Sequence, residues 1–319
     1  MSERITLLDI AKTNGNDKSI ALVEEGVKVC PEVATIPSRS IAGTSYSFAR
    51  RVGRPSVGFR KANDGVDSGK SKYEKVDAKM FILGGLIEMD KAIADADEEG
   101  PEAAQTREAV AYTQAALLAM AKQVWYGTAA DEDGFEGVQK LLGNTLVANG
   151  GRLFLSDTTS GSNNTSIYLV RFGDDGISFD FGKNTTLELS DFREESIVGE
   201  NGKKLPGYVA DLCGWAGMRL GTVEGAMRIA NIRKQDGKAG LSDAIIEEAL
   251  SNWTGRAPDA IFMNRKARFL LQQSRTVVTA QTTAKAPSTI GPFAQTPTEA
   301  AGIPIFVTDA LAQNEAFVS

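Results

Sequence analysis

The side chains able to do chemistry in this 319-residue chain are carboxylates, lysines, hydroxyls and two thiols, because it contains no histidine. Without an imidazole there is no neutral-pH proton shuttle, no Ser-His-Asp relay and no histidine-ligated metal. Two cysteines, Cys30 and Cys213, are too few for a four-thiolate zinc site or a disulfide framework and read as buried, reduced thiols. Asp131-Glu132-Asp133 and Asp174-Asp175 offer hard oxygen donors, yet EF-hand spacing is absent and aspartate favours turns, so both read as solvated turns. Gly65 to Ser71 (GVDSGKS) imitates a phosphate-binding loop with one residue too few before Gly-Lys-Ser, and an alternating strand follows where a helix must stand. Gly214, Gly217 and Gly221 miss the dinucleotide fingerprint and lie in a strand, where they permit close backbone approach. No catalytic residue, cofactor or metal is therefore assigned.

What remains is charge, and its placement carries information. The formal net charge of -6 argues against a nucleic-acid binder, which needs an excess of bases to displace counterions. Between Arg50 and Lys79, however, nine bases stand against four acids, a net of +5. From Glu88 to Glu108 eight acids stand against two bases, a net of -6. A basic arm is thus followed at once by an acidic platform.

The elements that must position these charges are legible in outline. The first thirty residues mix acids, bases and short apolar patches, with no signal peptide, and no window approaches the roughly 20 apolar residues of a membrane span. The expectation is a protein made and folded in the cytosol. Residues 4–36 read as an N-terminal arm with a helical turn capped by Asp17 and stopped by Pro31 and Pro37. Ser45 to Val52 and Lys72 to Leu83 read as two strands around a Gly-rich tip over 53–71. Charge lies on both their faces, and an isolated two-stranded ribbon is marginal in water, so this one must rest on something else.

Glu99-Gly100-Pro101 opens the strongest helix, which runs to Tyr126 as a rod of about 37 Å and stops at Gly127. Val110, Leu117, Ala121 and Val124 form its apolar stripe, with Leu118 and Trp125 beside them. Beyond it, Asp174-Asp175-Gly176 predicts a hairpin of Ile167–Phe172 with Ile177–Phe181, and Asn201-Gly202 a second hairpin of Thr186–Val198 with Tyr208–Leu220. A helix from Ser242 to Trp253, a strand at Ala260–Asn264, a basic helix at Arg265–Ser274, a mobile loop over Thr276–Thr298 and a strand at Ile303–Val307 complete the reading.

Three stretches together carry a resemblance: TAADEDGFEGVQKLL after the long helix, YVADLCGWAGMRLGTVEGAMRIANI at 208–232, and IFMNRKARFLLQQS with GIPIFVTDALAQNEAFV near the C-terminus. With the opening LLDIAK, the charged ribbon and FILGGLIEMDKA, they resemble the major capsid proteins of tailed bacteriophages, of the short-tailed subgroup. The resemblance spans nearly the whole chain. It implies an α+β fold of the Hong Kong 97 type: an N-terminal arm (1–36), an extended β-hairpin loop (37–84), a peripheral domain (85–130 and 165–235) with a spine helix at 101–126, and an axial domain (131–164 and 236–319). The chain departs from the type member in placing its long strand region, 167–232, before the axial helix at 242–253.

The function so implied is a major capsid protein that self-assembles into pentamers and hexamers, an icosahedral head enclosing double-stranded DNA without sequence-specific binding. Portal, scaffolding or decoration proteins would be partners, no membrane is involved, and assembly would occur in the bacterial cytoplasm. The basic ribbon of one copy should lie over the acidic helix surface of the next. The inter-subunit residues expected are Tyr46, Phe48, Arg50, Arg51, Arg54, Phe59, Arg60, Lys61 and Lys70 on the ribbon, and Glu98, Glu99, Glu102 and Glu108 on the platform. Some relatives cross-link a loop lysine to an asparagine; Lys61 and Lys70 lie at the tip, but no motif locates a partner. Two rivals are an encapsulin-like compartment, which shares the fold, and a histidine-free hydrolase or binding protein.

Overall fold

A computed structural model describes residues 30–53, 55–182, 187–199, 201–234, 240–282 and 295–318, with backbone only at Arg51 and over 276–282. From Cys30 the chain passes through a one-turn helix α1 (Glu32–Thr35) and β1 (Ser38–Ile41) into the pair β2 (Ser45–Gly53) and β3 (Lys72–Lys79). Then come β4 (Phe81–Asp90), α2 (Lys91–Asp95), α3 (Pro101–Tyr126), α4 (Val138–Leu142) and β5 (Leu153–Leu155). Next are β6 (Thr165–Val170), β7 (Ile177–Gly182), β8 (Glu188–Leu189), β9 (Arg193–Val198), β10 (Lys204–Leu220) and β11 (Ala226–Ile232). The chain closes with α5 (Asp243–Ser251), β12 (Ala260–Met263), α6 (Arg265–Thr282), β13 (Glu299–Ala300) and β14 (Ile303–Val307). The arm helix expected around Asp17 lies outside the described residues.

Helix α3 starts and stops where the local chemistry demands. Pro101 occupies the first turn, where its missing N–H costs nothing, behind Gly100 at φ 89°. Gly127, at φ 59°, ends the helix, and a β-carbon there would lie 2.0 Å from the Gly137 amide nitrogen, so the next loop folds directly over the helix end. Gln123 Nε2 ties that loop down by donating to the Asp131 and Phe135 carbonyls at 3.1 and 2.8 Å. Asp131 Oδ1 accepts from the Asp133 amide at 3.0 Å, so this acid cluster forms a turn. Leu117, Ala121, Val124 and Trp125 are buried as expected, but Val110 is only half-buried because Ala109 and Thr113 hold the inner positions.

Two six-stranded sheets flank one apolar layer. The first runs β1-β7-β10-β4, with β8 and β9 also paired to the 17-residue β10. The second runs β13-β14-β12-β6-β11-β5. Strands β6, β11 and β12 are buried throughout, so both faces of the second sheet must be covered. Alternation separates the two faces: Tyr168, Val170 and Phe262 join α3 and the first sheet in one core, while Ile167, Leu169, Ile261 and Met263 join α5 and α6 in another. The Trp125 ring packs on Tyr168 and Phe262 at centroid distances of 4.8 and 5.0 Å, which places the end of the rod at the centre of the first core.

The structure corrects several expectations. Strands β6 and β7 are not a hairpin: the Asp174-Asp175-Gly176 turn carries the chain from the second sheet to the first. Both strands are buried on both faces; β6 lies between β11 and β12, and β7 between β1 and β10, which leaves neither an edge for the other. The ribbon's second strand stops at Lys79, because Met80 is buried and β4 has joined the first sheet against β10. Ser38–Ile41, expected in the extended loop, is a sheet strand parallel to β7. Pro31 stands at the N-cap of α1. The second hairpin pairs Arg193–Val198 with a longer partner that starts at Lys204. Helix α6 runs on to Thr282, into the stretch expected to be a mobile loop. Cys30 is buried, but Cys213 is exposed, on the open face of β10. Finally, the second sheet combines β6 and β11, expected in the peripheral domain, with β5, β12 and β14, expected in the axial one.

Candidate subunit-contact surface

The ribbon is a regular antiparallel pair with Ser45 opposite Lys79 and Arg50 opposite Glu74. Tyr46, Phe48 and Arg50 lie on its half-buried side. Arg50 Nη2 donates to Glu74 Oε2 at 2.9 Å across the strands, and Ser47 bonds Asp77. At the root, the Tyr46 hydroxyl donates to buried Asp180 Oδ2 at 2.8 Å, while Arg39 Nε reaches Oδ1 at 2.6 Å and its guanidinium lies 4.6 Å from the Tyr46 ring centroid. Burial and then the Asp180 charge hold the Tyr46 phenol well above its usual pKa, so it stays a donor. Arg219 stands 5.4 Å from the Phe48 ring centroid, and Tyr46 stacks on Phe48.

These contacts are made within one chain. Tyr46 and Phe48, expected to meet a neighbouring copy, engage Asp180 and Arg219 of this chain's own first sheet and are half-buried there. Arg50 likewise answers Glu74 on its own ribbon. Arg51 stands opposite Tyr73 in β2, and Arg54 lies outside the described residues.

Beyond Gly53 the tip has no regular structure and is exposed throughout 55–70. Phe59 is fully exposed and Val57 87% exposed, large apolar side chains with no cover on this chain. Arg60 Nη1 donates to the Asp64 carbonyl at 2.9 Å, whereas Lys61 and Lys70 project into solvent.

The platform is exposed at Glu98, Glu99, Glu102 and Glu108. Arg107 engages Asp97 and Glu99, the latter at 3.2 Å; among the described residues no ion pair holds Glu98, Glu102 or Glu108. Within one chain the ribbon root meets β7 and β10, not this platform, so the structure does not bring the two sets of predicted residues together. Between the start of β4 and the C-terminal half of α3 lies a cleft of about 300 Å³, lined by Phe81, Leu83, Leu118, Met120 and Phe135. Asp131, Asp133 and Lys122 supply its charged edge.

Sequence reasoning missed a second set of residues, which hold the C-terminal segment. The Glu315 carboxylate, on a half-buried residue, accepts from the Tyr126 hydroxyl at 2.6 Å, from Ser166 and from Arg228 Nη2 at 3.0 Å. Asn231 clasps the Val318 backbone by donating to its carbonyl at 2.7 Å and accepting from its amide at 3.0 Å. The Trp125 indole donates to buried Glu32 at 2.8 Å, and burial pushes that carboxyl's pKa up. No local spacing announces these pairs.

A family model described as major capsid protein GP7 matches residues 39–319. The chain belongs to that family. This capsid-family chain is also similar to a chain of the bacteriophage Epsilon15 structure, with a TM-score of 0.62 at 18% identity over 88% of this chain and 87% of that one. The fold is accordingly that of the Hong Kong 97 type capsid protein. Looser likenesses, which carry no argument, reach the bacteriophage JBD30 capsid (TM-score 0.49, 10% identity, 88% and 91% covered) and an encapsulin from Synechococcus elongatus (0.40, 8%, 62% and 86%). No curated protein matches.

Proposed function

We propose that this chain is the shell-forming subunit of a tailed-phage head, assembling as pentamers and hexamers around double-stranded DNA. The observation that carries the reading is the family match over 39–319, joined to a ribbon whose root is locked to its own sheet while its apolar, basic tip has no cover. The ribbon of one copy reaches the acidic surface around Glu98, Glu102 and Glu108 of the next. Opposite charge steers that encounter, and burial of the tip's apolar side chains holds it. Each exposed ion pair contributes only ~0.2–1 kcal/mol, so stability comes from repetition around a closed shell.

Portal and scaffolding or decoration proteins are the further partners, and assembly takes place in the host cytoplasm. The peripheral body consists of the first sheet with α3. The axial body consists of the second sheet with α5 and α6, so 165–170 and 226–232 move into it. Sedimentation velocity with negative-stain imaging tests the reading: rings or shells are expected, and a 34 kDa monomer at every concentration would overturn it. Shells that carry a co-purifying cargo enzyme would favour an encapsulin-like compartment instead.

A further inference from the structure

We infer that the cleft between β4 and α3 is the seat for Phe59 of a second copy of this chain, with the edge carboxylates of Asp131 and Asp133 receiving Arg60 and Lys61. The inference rests on the assembly reading above and names the contact within it.

Four observations lead to this pairing. First, Phe59 is a fully exposed aromatic in the irregular tip beyond the ribbon's ladder, and the cleft is an uncovered apolar recess of about 300 Å³. That volume suits one large side chain and lies at the bottom of the range for small-molecule sites. Second, the chain cannot fill its own cleft. β3 leads through Met80 directly into Phe81 at the cleft wall, so the eight residues of β3 carry the tip about 26 Å away along a rigid strand pair. Third, the charges match: Arg60 and Lys61 follow Phe59, while Asp131 and Asp133, with exposed Glu132 between them, outnumber Lys122 on the cleft edge. Fourth, each copy carries one projection and one recess at different places. The contact is therefore head-to-tail, the kind that closes rings when the rotation between copies is a simple fraction of a turn.

The recess lies beside exposed Ala119, which supplies the test. The probe is the full chain bearing Phe59→Cys and Ala119→Cys in a Cys213→Ser background, because Cys213 is the exposed native thiol and Cys30 is buried. After assembly and mild oxidation, non-reducing gels should show a ladder of multimers that neither single-cysteine chain produces. Shells that form without a ladder would overturn the inference and leave the assembly reading standing. Failure of the Cys213→Ser chain itself to assemble at any concentration would count against that reading. Protection of the Ala119→Cys thiol by a different co-purifying protein, with no ladder, would assign the cleft to that protein and also overturn the inference.

A second variant removes the dependence on engineered thiols. Ala119→Trp fills the recess from its own chain at an exposed position and should lower the assembled fraction by about tenfold, as should Phe59→Ala. Combining them should cost little more than either alone, since both delete one contact. Normal assembly of Ala119→Trp would refute the pairing.

Discussion

Replacing Glu315 with alanine is expected to release the C-terminal segment from the second sheet. Among the described residues its carboxylate is the only acid paired with Arg228, and the two side chains are 8% and 3% exposed. Removing it strands the guanidinium in an apolar layer with Ser166 Oγ, 3.1 Å from Arg228 Nε, as its remaining hydrogen-bond partner there. The Tyr126 hydroxyl loses its acceptor at the same time. Breaking a buried pair from one side costs about 3–5 kcal/mol, most of it the penalty of the unpaired charge. Arg228→Met in the same chain should therefore recover much of that loss, because it removes the orphaned charge and keeps the volume. The assay is urea unfolding of the unassembled chain, with hydrogen exchange followed at the amides of Glu315 and Val318, which bond Asn164 O at 2.7 Å and Asn231 Oδ1 at 3.0 Å. Those amides should lose protection first. A loss below about 1 kcal/mol, or an unrescued double variant, would refute the idea that this pair locks the tail.

Three other outcomes are expected. Phe262→Ala should cost about 3–5 kcal/mol in denaturant unfolding, since Phe262 is fully buried between Trp125 and Phe306 at 5.0 and 5.4 Å and its removal opens a cavity both must line. Glu32 has a raised pKa through burial, so its contribution to stability is full below the unfolded glutamate range and is lost as pH rises from there toward the folded value. Glu32→Gln should flatten that decline in urea midpoints between acid and neutral pH, and parallel curves for the two proteins would contradict it. Reversing Arg60, Lys61 and Lys70 to glutamate should slow assembly measured by light scattering and invert its salt dependence, because these tip bases, unlike Arg50, have no carboxylate partner among the described residues of their own ribbon.

The ribbon, the rod and the second hairpin were legible because each is specified within a few residues. Proline at the first helical position and glycine past the last determine α3; charge on both faces marks β2 and β3 as a strand pair without a core; Asn201-Gly202 turns β9 into β10. Local spacing also dictated the Ser242 cap, whose Oγ accepts from the Ile245 amide at 3.4 Å. Close approach at the strand glycines was readable in the same way: a β-carbon at Gly217 would stand 2.8 Å from the Lys79 carbonyl.

What the sequence by itself determined, then, is where chain direction changes and which segments need cover. It also set an uncovered basic tip ahead of an acidic platform. Only the tertiary structure decided which partner answers each need. The Asp174-Asp175-Gly176 turn was legible, but not that the strands on either side of it, β6 and β7, belong to different sheets. Tyr46 finds Asp180, and Arg228 finds Glu315, across 134 and 87 residues of chain. Such pairings depend on which arrangement of the whole chain gives its buried charges partners and its core strands cover, and residue spacing records neither.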